Sequence, residues 1–126
     1  MIFSFDGYEI DTDRLQVRQD GASVHVEPQV FDVLCYLIEH RDRVVTKIEL
    51  FEKVWGGAFV GESALTSRIK SARRLVGDSG QAQRVIRTVH RRGSQFVADV
   101  LERHDDDQSR TPEPGGALAA PSGTVS

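Results

Sequence analysis

Apolar and polar residues alternate through the first 26 positions. Ile2-Phe3-Ser4-Phe5, Tyr8-Glu9-Ile10-Asp11, Leu15-Gln16-Val17-Arg18 and Val24-His25-Val26 each read as a short strand, because successive strand side chains point to opposite faces. Asp6-Gly7, Asp13 and Asp20-Gly21 separate them, and aspartate and glycine adopt the reversed backbone angles of tight turns at little cost. The pattern predicts a four-stranded antiparallel meander. After Pro28, which suits the first turn of a helix, the period changes: Val30, Phe31, Leu34, Leu37 and Ile38 recur at helical spacing and predict a first helix with one apolar face. Thr46 with Glu49 three residues on has the form of a capping box. It opens a second helix whose apolar side is Ile48, Leu50, Phe51, Val54 and Trp55, ending at Gly56-Gly57.

A third helix is expected over residues 62–76. At 100° per residue, Leu65, Ile69, Ala72, Leu75 and Val76 fall within one arc of about 100° and face the core. Ser63, Thr66, Ser67, Lys70 and Arg74 occupy the opposite side, flanked by Arg68 and Arg73. Beyond Gly77-Asp78-Ser79-Gly80, the stretch Val85-Ile86-Arg87-Thr88-Val89 alternates as a strand. Arg91-Arg92-Gly93 then turns, and Gln95-Phe96-Val97 returns as its partner. The expected fold is therefore α+β, a single unit of about 100 residues. From residue 101 to 126 the chain reads as a disordered, acidic, Pro/Gly-rich tail or linker, with Asp105-Asp106-Asp107 and Pro112-Glu113-Pro114-Gly115-Gly116 and little to bury.

Composition adds mainly exclusions. A chain of 126 residues with 39% hydrophobic residues supports one modest core. No apolar run approaches the ~20 residues of a membrane span, and the amino end lacks the basic region and cleavage site of a secretory signal. Cys35 is the single cysteine. It has no disulfide partner and no zinc-spaced neighbour, and lies among apolar residues of the first helix, where a core thiol is expected. His25, His40 and His104 are isolated, and His90 beside two arginines has no second ligand in view, so no metal or cofactor is expected. There is no phosphate-cradling glycine loop, no HExxH, no GxSxG and no placed carboxylate pair, and an enzyme is not expected. The cytoplasm is the expected location.

Charge changes the picture more. The whole chain sums to −3, yet residues 1–62 carry −6, residues 63–95 carry +7 and residues 96–126 carry −4. The central block holds Arg68, Lys70, Arg73, Arg74, Arg84, Arg87, Arg91 and Arg92 against the single acid Asp78. Such a block is the footprint of a polyanion-binding element. Small hydroxyls on the third helix permit close approach to a duplex, and long cations beside them reach phosphates or guanine edges. At the hairpin tip His90, Arg91 and Arg92 suit a minor groove or backbone. RNA fits poorly, since a helix cannot enter the A-form major groove and no aromatic platform accompanies the cations. A protein-interaction module whose basic face meets an acidic partner is the competing reading.

The order of strands, three helices and basic hairpin resembles the winged helix-turn-helix DNA-binding domain of OmpR/PhoB-type bacterial transcription regulators, over roughly residues 3–99. The most specific segments are Ala64-Leu65-Thr66-Ser67-Arg68-Ile69-Lys70-Ser71-Ala72-Arg73-Arg74-Leu75, which looks like the recognition helix, and Ile86-Arg87-Thr88-Val89-His90-Arg91-Arg92-Gly93, which looks like the strand and wing after it. The resemblance implies double-stranded DNA as partner. It places Arg68 and Lys70 on the major groove or its flanking phosphates, Arg73 and Thr88 on phosphates, and residues 90–92 in the wing. Base readout is expected from Ser67, Arg68, Lys70 and Ser71. It also implies contact of the 55–61 loop with RNA polymerase, and a homodimer on tandem sites. One departure is that the family commonly follows its wing glycine with Tyr-Arg-Phe, where this chain has Ser94-Gln95-Phe96. The other is that no phosphorylated receiver stands ahead of residue 1, which leads us to expect the domain at an amino end, followed by a linker or a natural terminus.

Overall fold

A computed structural model of the chain describes residues 1–57 and 61–104. Its first four strands, β1 (Ile2–Phe5), β2 (Tyr8–Asp11), β3 (Gln16–Gln19) and β4 (Ala22–Val24), form the expected antiparallel meander. The register aligns Phe3 with Ile10, Ile10 with Val17 and Val17 with Val24 across the sheet. Phe3, Ile10 and Val17 are buried, so this row is the sheet's contribution to the core. On the opposite face the Arg18 Nε donates to Glu9 Oε1 (3.1 Å) and Arg103 Nη2 to Glu9 Oε2 (3.0 Å).

Three helices share one core cluster with the apolar row: α1 (Pro28–Glu39), which packs against both others, α2 (Lys47–Val54) and α3 (Glu62–Leu75). Val30, Phe31, Val33, Leu34, Leu37 and Ile38 of α1 are all buried, the helical stripe the spacing predicts. Cys35 is half-buried against the core, and burial, with Glu39 and Asp32 nearby, pushes its thiol up to about 12. It stays a neutral packing group at ordinary pH. The Thr46 hydroxyl accepts from the Glu49 N–H (3.1 Å) at the start of α2. The reciprocal half of the capping box is replaced: the Glu49 carboxylate is held by Arg43 Nη1 (2.8 Å) and Nη2 (2.5 Å) and by the Tyr36 hydroxyl. Those hydrogen bonds, from Arg43 first, hold Glu49 at about 2.

After α3 come β5 (Ile86–Val89) and β6 (Gly93–Phe96), paired antiparallel as a hairpin, and then β7 (Leu101–Arg103). The last strand is an addition to the expected four. It pairs with β1, so the sheet has five strands in the order β4-β3-β2-β1-β7. The fold therefore extends into residues 101–103, assigned from composition to the tail. Leu101 is 77% exposed, so no apolar period announces the strand. It is held by the backbone ladder and by the ion pairs of Arg103 with Glu9 and Glu102 with Arg41. The rest of the tail, from residue 105, lies outside the described residues. Among the described residues, no helix is long and apolar enough to cross a membrane.

Candidate nucleic-acid interface

Helix α3 is preceded by Gly61 at its N-cap, with a φ of 96°, at the end of the glycine-rich connection from α2. Leu65, Ile69, Ala72 and Val76 are buried and fasten α3 to the core, while Ser63, Thr66, Ser67, Lys70 and Arg74 are exposed. The division follows the wheel except at Leu75, which is half-buried, and Arg73, which is buried. Ser63, Thr66, Ser67 and Lys70 line one shallow concavity together with Glu62. The Glu62 carboxylate accepts from Lys47 Nζ at 3.1 Å, which balances the single acid of this face.

A second groove, about 440 Å³, runs between α3 and the hairpin, lined by Thr66, Lys70, Thr88, His90, Arg91 and Lys47 among others. Ser63, Thr66, Ser67, Lys70, Thr88, His90 and Arg91, named from sequence, thus meet along one surface made of these two grooves, and Arg68 and Arg92 line neither groove. Ser71 and Arg74 do not join it. They line a separate depression with Tyr8, His25 and Glu27 at the β4–α1 connection, round the side of α3.

Arg73 has a different position from the one its charge suggests. Its Nε donates to the Ile86 carbonyl (3.0 Å) and its Nη2 to Thr88 Oγ1 (2.6 Å). Burial pulls the guanidinium below its ordinary pKa, with Asp78 acting the other way. The side chain ties α3 to β5, and Thr88 presents an exposed hydroxyl already oriented by it.

Asp78, passed over in the sequence as one acid among turn residues, organises the connection. Its Oδ1 accepts from the Ser79 and Arg84 N–H groups, both at 2.8 Å. Its Oδ2 accepts from Val85 (2.9 Å) and Ile86 (3.0 Å). Burial raises its pKa, but the four N–H donors outweigh that and hold it below the usual carboxylate value. A short acid flanked by glycines just past a helix end is a known turn signal, though not one that reveals partners six to eight residues on.

The wing turns at residues 90–92, with the Arg92 N–H donating to the Val89 carbonyl (2.9 Å) and Arg91 at φ 63°. Gly93, expected in the turn, is instead the first residue of β6. A Cβ there would lie 2.0 Å from the Val45 carbonyl oxygen, because Val45 and Ser94 exchange backbone hydrogen bonds of 2.8 and 3.0 Å. Ser94 is buried. Phe96 packs edge-on against Phe5 with ring centroids 5.0 Å apart, so the hairpin base is anchored to the sheet although the family's tyrosine is absent. His90, Arg91 and Arg92 are exposed at the tip. Of the 55–61 loop, residues 58–60 lie outside the described residues; Trp55 is half-buried against Phe51, ring centroids 5.6 Å apart. No group of three or more metal-ligating side chains that would hold an ion occurs among the described residues.

Two residues unmarked in the sequence, Gln29 and Lys47, hold side chains of α3 from the other helices. Arg68 is half-buried and its Nε donates to Gln29 Oε1 of α1 at 3.0 Å. Lys47 reaches the α3 face from α2. Neither Gln29 nor Lys47 has a local signal, since their role depends on how the helices are arranged.

A five-stranded sheet, three helices, a basic helix face and a basic hairpin define a winged helix. The family model for the C-terminal domain of transcriptional regulatory proteins matches residues 21–96, and the chain belongs to that family. Its curated relatives include the transcriptional regulator HilA of Salmonella typhi, 32% identical over 99 residues, 79% of this chain and 18% of that protein. The chain thus spans under a fifth of that relative's length. Among solved structures, the DNA-binding domain of Klebsiella pneumoniae RstA, in complex with the RstA box, superposes with a TM-score of 0.68 at 24% identity, covering 75% of this chain and 95% of that one. The OmpR/PhoB homologue DrrB of Thermotoga maritima also gives 0.68, at 27% identity, covering 75% of this chain and 43% of the other.

Proposed function

We propose that the chain binds double-stranded DNA sequence-specifically to regulate transcription in the bacterial cytoplasm. Helix α3 enters the major groove, with the wing on the adjacent backbone or minor groove. The supporting observation is the continuous surface of Ser63, Thr66, Ser67 and Lys70 with Thr88, His90 and Arg91. On it Lys70 and Arg91 form no ion pair among the described residues, and the one acid, Glu62, is held by Lys47. Unpaired cations beside small hydroxyls match a phosphate wall with base edges behind it. A B-form major groove about 12 Å wide accepts one helix. Lys70, Arg91 and Arg92 then neutralise phosphates, His90 hydrogen-bonds the backbone beside them, Thr88 donates to a phosphate with the Arg73 charge behind it, and Arg68 with Ser67 faces the bases. Arg74 and Ser71, round the side of α3, meet the flanking backbone. Binding of two copies to tandem sites and contact of the 55–61 loop with RNA polymerase are part of the proposal on the family resemblance.

Fluorescence anisotropy with random duplexes and genomic fragments across salt concentration tests this. Expected are affinity falling steeply with salt and enrichment of particular fragments. Absence of binding at low salt overturns the proposal and leaves an acidic protein as the partner of this face.

A further inference from the structure

We propose that Gln29, on α1 rather than on the basic helix, is a positioning residue for base readout, acting through Arg68. The inference rests on the DNA-binding reading above. A guanidinium offers two forked edges: a side edge of Nε and one Nη, and an end edge of both Nη groups. The Arg68 Nε–H is occupied by Gln29 Oε1 at 3.0 Å. Neither Nη group of Arg68 has a hydrogen-bond partner among the described residues. The end edge is thus left for an acceptor pair outside the fold. The O6 and N7 atoms of guanine are such a pair in the major groove.

The hold also has an entropic consequence. An arginine loses much rotamer freedom when fixed. Arg68 is half-buried beside α1, and one hydrogen bond to a neighbouring helix already restricts its plane. Gln29 is itself set by the backbone: it follows Pro28 in the first turn of α1, a helix seated on the core by six buried side chains. A readout group supported from a second rigid element discriminates better than one on a free stem.

The test uses the full chain and the fragment enriched by the anisotropy selection, with single-base variants of it. Wild type, Gln29→Ala, Arg68→Ala and the double variant are compared for discrimination between bases, affinity for random DNA and salt slope. Arg68→Ala is expected to lose on the order of 10- to 100-fold discrimination at the base it reads. Gln29→Ala should lose about 3- to 10-fold at the same base, with random-DNA affinity, salt slope and melting temperature unchanged, and the double variant should match Arg68→Ala alone. Gln29→Glu, which keeps an acceptor at the same reach, should retain the discrimination that Gln29→Ala loses. Unchanged discrimination in Gln29→Ala overturns the assignment, as does a loss that adds to that of Arg68→Ala, which would mark Gln29 as a direct DNA contact. A wild-type chain that binds no DNA overturns the DNA-binding reading and this assignment together. Wild-type binding with an indifferent Gln29→Ala overturns only the latter.

Discussion

Replacing Asp78 with alanine removes the acceptor of four backbone N–H groups at once. Those of Val85 and Ile86 lie in buried surroundings, those of Ser79 and Arg84 in partly buried ones. The latter pair can recover water, so most of the cost falls on the former. A buried donor left without a partner costs roughly 1–3 kcal/mol, which for the two buried ones puts Asp78→Ala at about 2–6 kcal/mol. A domain of this size has only about 5–15 kcal/mol in total. Asp78→Asn keeps one oxygen but turns an NH₂ toward two donors, and should cost about 2–3 kcal/mol on the same basis. Trp55, the single tryptophan, gives a fluorescence signal for urea unfolding. The expected result is a lower midpoint at an unchanged m-value. The acid side follows from the same contacts. Since the folded pKa of Asp78 is lowered from 3.8, its stabilisation is fully present above about pH 4 and is lost as pH falls through the folded value. Asp78→Asn should lack that part of the acid loss. A cost under about 1 kcal/mol for Asp78→Ala would refute the view that this carboxylate holds the α3–β5 connection.

Gly93→Ala places a Cβ 2.0 Å from the Val45 carbonyl oxygen, so the wing must pull away from residue 45. A loss of roughly 1–3 kcal/mol in urea unfolding with weaker DNA binding is expected, and an unaffected midpoint would contradict the close approach. Thr46→Ala removes the α2 cap and should lower stability by about 1 kcal/mol, read in the same assay. Arg73→Ala should lower the melting temperature by several degrees by freeing the Ile86 carbonyl and Thr88. Lys70→Ala should instead leave melting unchanged and reduce the salt slope of DNA binding by about 1; the reverse pattern would exchange their roles. Glu49→Gln should flatten the loss of stability between about pH 4.5 and about 2, the interval between the ordinary and folded pKa of Glu49.

The parts of the molecule legible in the chain are those whose cause lies within a few residues. Alternation over residues 2–18 marks three strands, and the 3.6 period gives the buried faces of α1 and α3. The Thr46 cap and the cluster of cations from Arg68 to Arg92 are equally local. Each depends on spacing along one element, which periodicity, caps and charge counts report directly. Tertiary structure decided what depends on distant segments meeting. Strand β7 exists because β1 offers it an edge and Glu9 and Arg41 offer it partners, although its own residues have no apolar period. Arg73 and Lys70 are three residues apart and equally cationic, yet the approach of β5 buries one and leaves the other in solvent. Arg68 is supported by a glutamine 39 positions earlier, and Gly93 is required by a carbonyl 48 positions earlier. A pattern along a chain states which face a residue is on, whereas the partner it finds there is set by packing between elements, and that has no period in the sequence.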